Sequence, residues 1–130
     1  MVSSFQFSNP SLLNISYKIN DGFSKEEEEN INLDIHSEIS IGPGPDDNSS
    51  IVILKITIGS DDNSAPFYIY AEEGAAFRWE ADRINDSQIE KLLRQNAPAL
   101  LLSYLRPTIA MITAASPFPS YNIPFMNFTE

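Results

Sequence analysis

The stretch NAPALLLSYLRPTIAMITAAS, Asn96 to Ser116, decides the fold, because it is apolar around most of its circumference and carries one charge, Arg106. Pro98 suits the first turn of a helix, where a missing N–H costs nothing. Pro107 falls inside the same helix and cannot donate to the Ser103 carbonyl, so a bend is expected there. At about 100° per residue, Leu101, Leu102, Leu105, Ile109 and Ile112 share one face. Leu100, Tyr104, Met111 and Ala115 form a second apolar face, separated only by a stripe of Ala99, Ser103, Arg106, Ala110 and Thr113. A surface helix of a monomer needs one apolar stripe, and a helix apolar on most sides is buried on most sides. One face therefore covers a sheet. A second subunit or further loops of the same chain cover the other, which makes Leu100, Tyr104, Met111 and Ala115 the candidate oligomer interface.

The residues before this helix supply the sheet. In residues 5–20, Ile15, Tyr17 and Ile19 alternate with polar neighbours, as a half-buried strand requires. The charged run at 23–30, with four successive glutamates, reads as a solvated loop. In residues 31–41, INLDIHSEISI, five isoleucine and leucine side chains face one way and Asn32, Asp34, His36, Glu38 and Ser40 the other. One dry face and one wet face mean an antiparallel, half-solvated sheet. Gly42 to Asn48 breaks the chain; it carries acids and no lysine, so it does not cradle phosphate. Residues 51–58, IVILKITI, read as a central strand, and residues 66–80 as a fourth, interrupted at Gly74 by a bulge or bend. Asp86 or Ser87 is expected to cap a short helix before the long one. The closing PFPSYNIPFMNFTE holds three prolines and four aromatics and lies extended. Strands followed by helices imply an α+β domain: a four-stranded antiparallel sheet backed on one face by a long C-terminal helix. Residues 1–130 form one domain, with strands within 5–80, helices within 86–116 and an aromatic tail at 117–130.

Composition narrows the function. The net charge of −10 opposes non-specific nucleic-acid binding and anionic membranes, and favours basic partners. The chain contains no cysteine, which excludes a disulfide framework and thiolate chemistry. Its start lacks the charged and apolar regions of a secretory signal, and two prolines with Arg106 argue against a membrane-spanning helix. Cytoplasmic residence follows by elimination. No catalytic constellation emerges. The single histidine, His36, sits on the wet side of its strand with no nucleophile motif nearby. The acid pairs Asp46/Asp47, Asp61/Asp62 and Glu72/Glu73 are adjacent rather than opposed, and they lack the ligand spacing of a calcium loop. No enzyme, metal site or cofactor is expected. The tail is the unusual surface: Phe118, Tyr121, Ile123, Phe125, Met126 and Phe128 suit varied apolar peptides. The same residues equally suit ordinary packing of a C-terminal arm on its own domain.

The C-terminal half resembles the SecB family of protein-export chaperones. The family helix begins with asparagine or cysteine, proline, a small residue and three apolar residues, then tyrosine and arginine. Here that pattern stands at Asn96, Pro98, Ala99, Leu100, Leu101, Leu102, Tyr104 and Arg106. The proline-rich turn and the closing Asn127-Phe128 pair also match. Upstream, Phe67, Gly74 and Phe77 look like the family's last strand. The resemblance spans residues 65–128.

It implies ATP-independent capture of unfolded or pre-secretory polypeptides, a holdase activity, by a homodimer or homotetramer assembled through the long helix. It also implies hand-over of clients to a SecA-type motor, for which an acidic surface meets a basic tail. Two departures make this a divergent relative. The family continues past the Asn-Phe pair into a second helix that walls the client groove, and these 130 residues do not include one. Tyr70 also stands where the family's motor-binding strand carries a glutamate, and Asn14 and Lys18 stand at its acidic first-strand positions. Tyr68 and Tyr70 offer a partner an aromatic strand face instead, which counts against the motor. The alternative expectation is an adaptor on the same scaffold with one dedicated protein partner and no export role.

Overall fold

The computed structural model describes residues 2–23 and 33–129; the four glutamates and the start of the expected strand at 31–41 lie outside them. Five strands form one antiparallel sheet: β1 (Phe5–Phe7), β2 (Ser11–Ile19), β3 (Ile35–Pro43), β4 (Ser49–Gly59) and β5 (Phe67–Trp79). Both β1 and β2 pair with the same edge of β5, which is followed by β4 and then β3. The four-stranded layout thus holds, but its first strand is divided in two. Asn9-Pro10 lies at the division, where proline has no N–H to continue the ladder.

Alternation decides which side chains meet the helix. Val52, Leu54, Ile56 and Ile58 of β4 are fully buried, as are Ile69 and Ala71 of β5, while their neighbours point to the outer face. The expected interruption at Gly74 is absent. β5 runs through it in unbroken register with β4, and the irregularity sits in β2, between Leu12 and Asn14. Gly74 is small for another reason: a Cβ there would lie 2.8 Å from Leu13 Cδ1 and 3.2 Å from Ile53 Cγ1.

The helices also differ from expectation at their junction. Neither Asp86 nor Ser87 caps the first helix. Asn85 does, its side chain accepting from Gln88 N–H while the Gln88 side chain accepts from Asn85 N–H. The helix α1 (Asp86–Lys91) then passes without a break through a π turn (Leu92–Asn96) into α2 (Ala97–Ala114). Pro98 explains the wide turn. A proline ring crowds the carbonyl four residues earlier, and one extra residue in the turn moves that carbonyl away. Leu101, Leu105 and Ile109 are fully buried against β4 and β5.

Candidate functional site

Three surfaces hold the residues singled out from the sequence. The first is the second face of α2. Leu100 packs partly against the core, whereas Tyr104 is 44% exposed, Met111 69% exposed and Ala115 exposed. Phe7 of the divided edge strand extends this face, its ring 6.2 Å from that of Tyr104 and 6.2 Å from that of Phe77. Phe7 and its edge-strand neighbour Leu12 are themselves about two-fifths exposed. An apolar seam therefore joins the helix to the edge strand.

The second surface is the tail. After α2 the chain turns back, and Ile123 is buried while Phe118, Tyr121, Met126 and Phe128 pack on the core. Phe125 alone of the six candidates points freely outward, at 89% exposure. The anchor is Thr113, expected on the polar stripe of the helix and found fully buried. Its hydroxyl donates to the Ile109 carbonyl at 2.8 Å and accepts from Tyr121 N–H at 2.7 Å. Ser120 Oγ donates to the Ala110 carbonyl at 2.9 Å. Beyond these the tail holds the body mainly through side chains, with the rings of Phe118 and Tyr121 each 6.3 Å from that of Phe67. Burial pushes the Tyr121 hydroxyl pKa up. One wheel position explains the miss: a threonine at the edge of an apolar face serves the core when a neighbouring segment needs its hydroxyl.

The third is the outer sheet face, where Tyr68 and Tyr70 are half-buried among the outward residues of β5. In register they stand beside Lys18 and Ser16 of β2 and Gly59 and Thr57 of β4. The Tyr70 hydroxyl donates to Glu72 Oε2 at 2.5 Å, and this bond to a carboxylate pushes its pKa up to about 12. Glu72 in turn stands opposite Lys55, which stands opposite Glu38. The face is aromatic and mixed in charge.

Sequence reasoning missed Glu73. It lies on the inner face of β5, buried between Leu54 of β4 and Leu12 of β2 in the register. Its carboxyl has no hydrogen-bond partner among the described residues, and burial pushes its pKa up. The signal was present: counting by twos from Phe67 puts one of the two adjacent glutamates inside. His36 is exposed on β3. Among the described residues, no three His, Asp or Glu side chains stand close enough to hold a metal ion. The continuous helix from Asp86 to Ala114 passes the length and composition test for a membrane span, a test that core helices also pass.

A half-solvated antiparallel sheet with a core helix, apolar side chains left on the surface and an extended aromatic arm make an α+β domain of the SecB-like fold. Residues 13–130 match the family described as preprotein translocase subunit SecB, and the chain belongs to that family. It is 29% identical over 124 residues to the uncharacterized protein MJ0357 of Methanocaldococcus jannaschii, covering 94% of this chain and 78% of that one. The fold is that of the SecB-like chaperone Rv1957 of Mycobacterium tuberculosis, solved in complex with a ChAD peptide from the HigA1 antitoxin. That likeness has a TM-score of 0.75 at 12% identity and covers 95% of this chain and 91% of the other. A protein of unknown function from Streptococcus agalactiae is similar at a TM-score of 0.53 and 15% identity, covering 96% of this chain and 100% of that one.

Proposed function

We propose that this SecB-family protein is a cytoplasmic holdase that captures unfolded or pre-secretory polypeptides without ATP. The observation that carries the reading is the amount of apolar side chain left outside a small domain: Phe7, Leu12, Leu13, Ile51, Tyr104, Met111 and Phe125. Burying one such side chain contributes roughly 1.5–3 kcal/mol, so several weak contacts retain a client without demanding one sequence. Phe118, Tyr121, Ile123, Phe125, Met126 and Phe128 are the client-binding candidates. Five of them rest on the domain's own core, so client capture requires the tail to lift and exchange its contacts for those of the client. Leu100, Tyr104, Met111 and Ala115 form the seam of a homodimer or homotetramer. The purified protein at stoichiometric amounts should suppress light scattering by an unfolded model substrate; undiminished scattering would sink holdase activity.

A second reading is favoured by the M. tuberculosis relative, whose bound peptide comes from one antitoxin. By analogy, this chain would serve one dedicated partner through the same surfaces, with no export role. Tyr70, Asn14 and Lys18 at the positions of the family's acidic motor contacts, with Tyr68 beside Tyr70 on an aromatic strand face, support that reading over a SecA-type motor. Immobilised protein that retains one stoichiometric partner, instead of a heterogeneous set, decides for the adaptor.

A further inference from the structure

Among the described residues, Glu73 is the one carboxyl that the sheet turns toward α2. The other inner positions of β5 around it, Phe67, Ile69, Ala71, Ala75 and Phe77, are all apolar. Ala71 and Ala75 on either side are short, which leaves room for the longer glutamate. Across the sheet Glu73 stands opposite Leu54 of β4 and Leu12 of β2, where Leu13 bulges out of the ladder. Glu73 is 4% exposed; Leu54 and Ala71 are fully buried and Ala75 nearly so, whereas Leu12 is 41% exposed. The water left to the carboxyl therefore lies on the Leu12 side, which is the edge-strand side of the apolar seam.

No neighbouring element brings a compensating charge. β4 contributes Val52, Leu54 and Ile56 to this face and turns Lys55 to the other, opposite Glu72. β2 contributes Leu12, Ile15 and Tyr17 and turns Lys18 outward opposite Tyr68, while β1 contributes Phe5 and Phe7. In α2 the charged or titratable residues are Tyr104 and Arg106; in the tail it is Tyr121, whose ring lies by Phe67. Among the described residues none of these groups bonds to Glu73, and the Tyr17 hydroxyl and Arg106 Nε are themselves sealed without a partner. Ionised Glu73 thus depends on its thin water contact. A second copy seated on Phe7, Leu12, Tyr104 and Met111 closes that contact, and none of those residues carries a cation to replace the water. A neutral carboxyl loses far less than a carboxylate on leaving water, and burial already pushes the Glu73 pKa up in the single chain.

We propose that Glu73 is a proton-operated gate on self-assembly: joining of two copies at the seam is coupled to proton uptake by this carboxyl, so acidification tightens the oligomer. The gate rests on the seam being the interface between copies and adds its regulation. The sign follows from linkage: the assembled form holds the proton more tightly, so assembly weakens as pH rises.

Sedimentation of the whole chain at pH 5.5 and 7.5, in 500 mM salt to screen the general repulsion between acidic chains, tests it. Wild type should assemble about tenfold more tightly at pH 5.5 than at pH 7.5. Glu73→Gln and Glu73→Met carry no charge at either pH. With circular dichroism unchanged, both should assemble at pH 7.5 as tightly as wild type does at pH 5.5 and lose the pH dependence. Wild-type assembly that is equal at both pH values, or a pH dependence that survives in both variants, overturns the gate and leaves the seam standing. Wild type that tightens as pH rises also overturns the gate, because the carboxylate then meets a donor from the second copy. Wild type that stays monomeric at both pH values overturns gate and seam together, as does a Met111→Asp oligomer with wild-type mass and pH dependence.

Discussion

At the scale of single residues, the structure hinges on two side chains that composition alone does not distinguish from their neighbours. Glu73 has no hydrogen-bond partner among the described residues, and burial disfavours its ionised form in the folded protein, so its pKa lies above that of the unfolded chain. The linkage runs opposite to that of a salt-bridged carboxylate. The folded state holds the proton more tightly, so this group costs stability as pH rises above about 4.3, the unfolded value, and the cost is complete above the folded pKa. Glu73→Met removes the charge at similar volume. Urea denaturation should show the variant more stable than wild type at pH 7.5, with the gap closing as pH falls. A variant less stable at pH 7.5 would show that the carboxylate has a partner in the assembled protein. Thr113 is the second. Thr113→Val keeps its shape but leaves the Tyr121 N–H without an acceptor, at a cost of about 1–3 kcal/mol. Hydrogen exchange at the Tyr121 amide should rise while exchange in β4 and β5 stays unchanged; equal acceleration in both would mean that Thr113 supports the whole core and not the tail.

At the scale of elements, the fold was legible wherever one local rule acted alone. The apolar run of IVILKITI, with Val52, Leu54, Ile56 and Ile58 on one face, placed β4, and the apolar wheel of Leu101, Leu105 and Ile109 gave the buried face of α2. Legibility failed where two rules competed. Leu12-Leu13 breaks the alternation and carries the irregularity, while Gly74 in the strand beside it is the accommodating surface. Pro98 reads as a helix start, but a π turn lets the helix run through it, which no single-residue propensity reveals. The candidate site was legible in residue type more than in placement. An aromatic tail looks the same in sequence whether it is offered to solvent or folded onto its own core, because the difference depends on what the sheet leaves uncovered. The tail can be tested as an element. Ile123 is its buried anchor, and Ile123→Ala should cost about 2–5 kcal/mol if the whole domain feels it. If the tail is a separable arm, the loss is confined to it: limited proteolysis should cut within 117–129 many times faster, while the thermal transition of the sheet moves little. A large fall in that transition would show the tail to be part of the core, and clients would then have to bind elsewhere.

At the scale of the whole molecule, the remaining question is what covers the seam of Phe7, Leu12, Tyr104 and Met111. The edge strand and the helix present it together, so a partner docking there meets both an unpaired strand edge and an apolar helix face. A second copy satisfies that geometry with matching surfaces about a twofold axis. The charge of each chain opposes it: two copies at −10 repel, so assembly resting on apolar contact should strengthen as salt screens the repulsion. Met111→Asp is the informative substitution because Met111 is 69% exposed in the single chain. The mutant monomer therefore keeps its fold, whereas an assembled one would bury an unpaired carboxylate at a cost of several kcal/mol. Light scattering should show wild type as a dimer or tetramer whose mass holds up better at 500 mM than at 50 mM salt, and Met111→Asp as a smaller species with unchanged circular dichroism. Tyr104→Asp should behave alike and also disturb the Phe7 contact. A variant that keeps the wild-type mass takes Met111 out of the interface and leaves this seam as the place where a client, and not a second subunit, finds the domain.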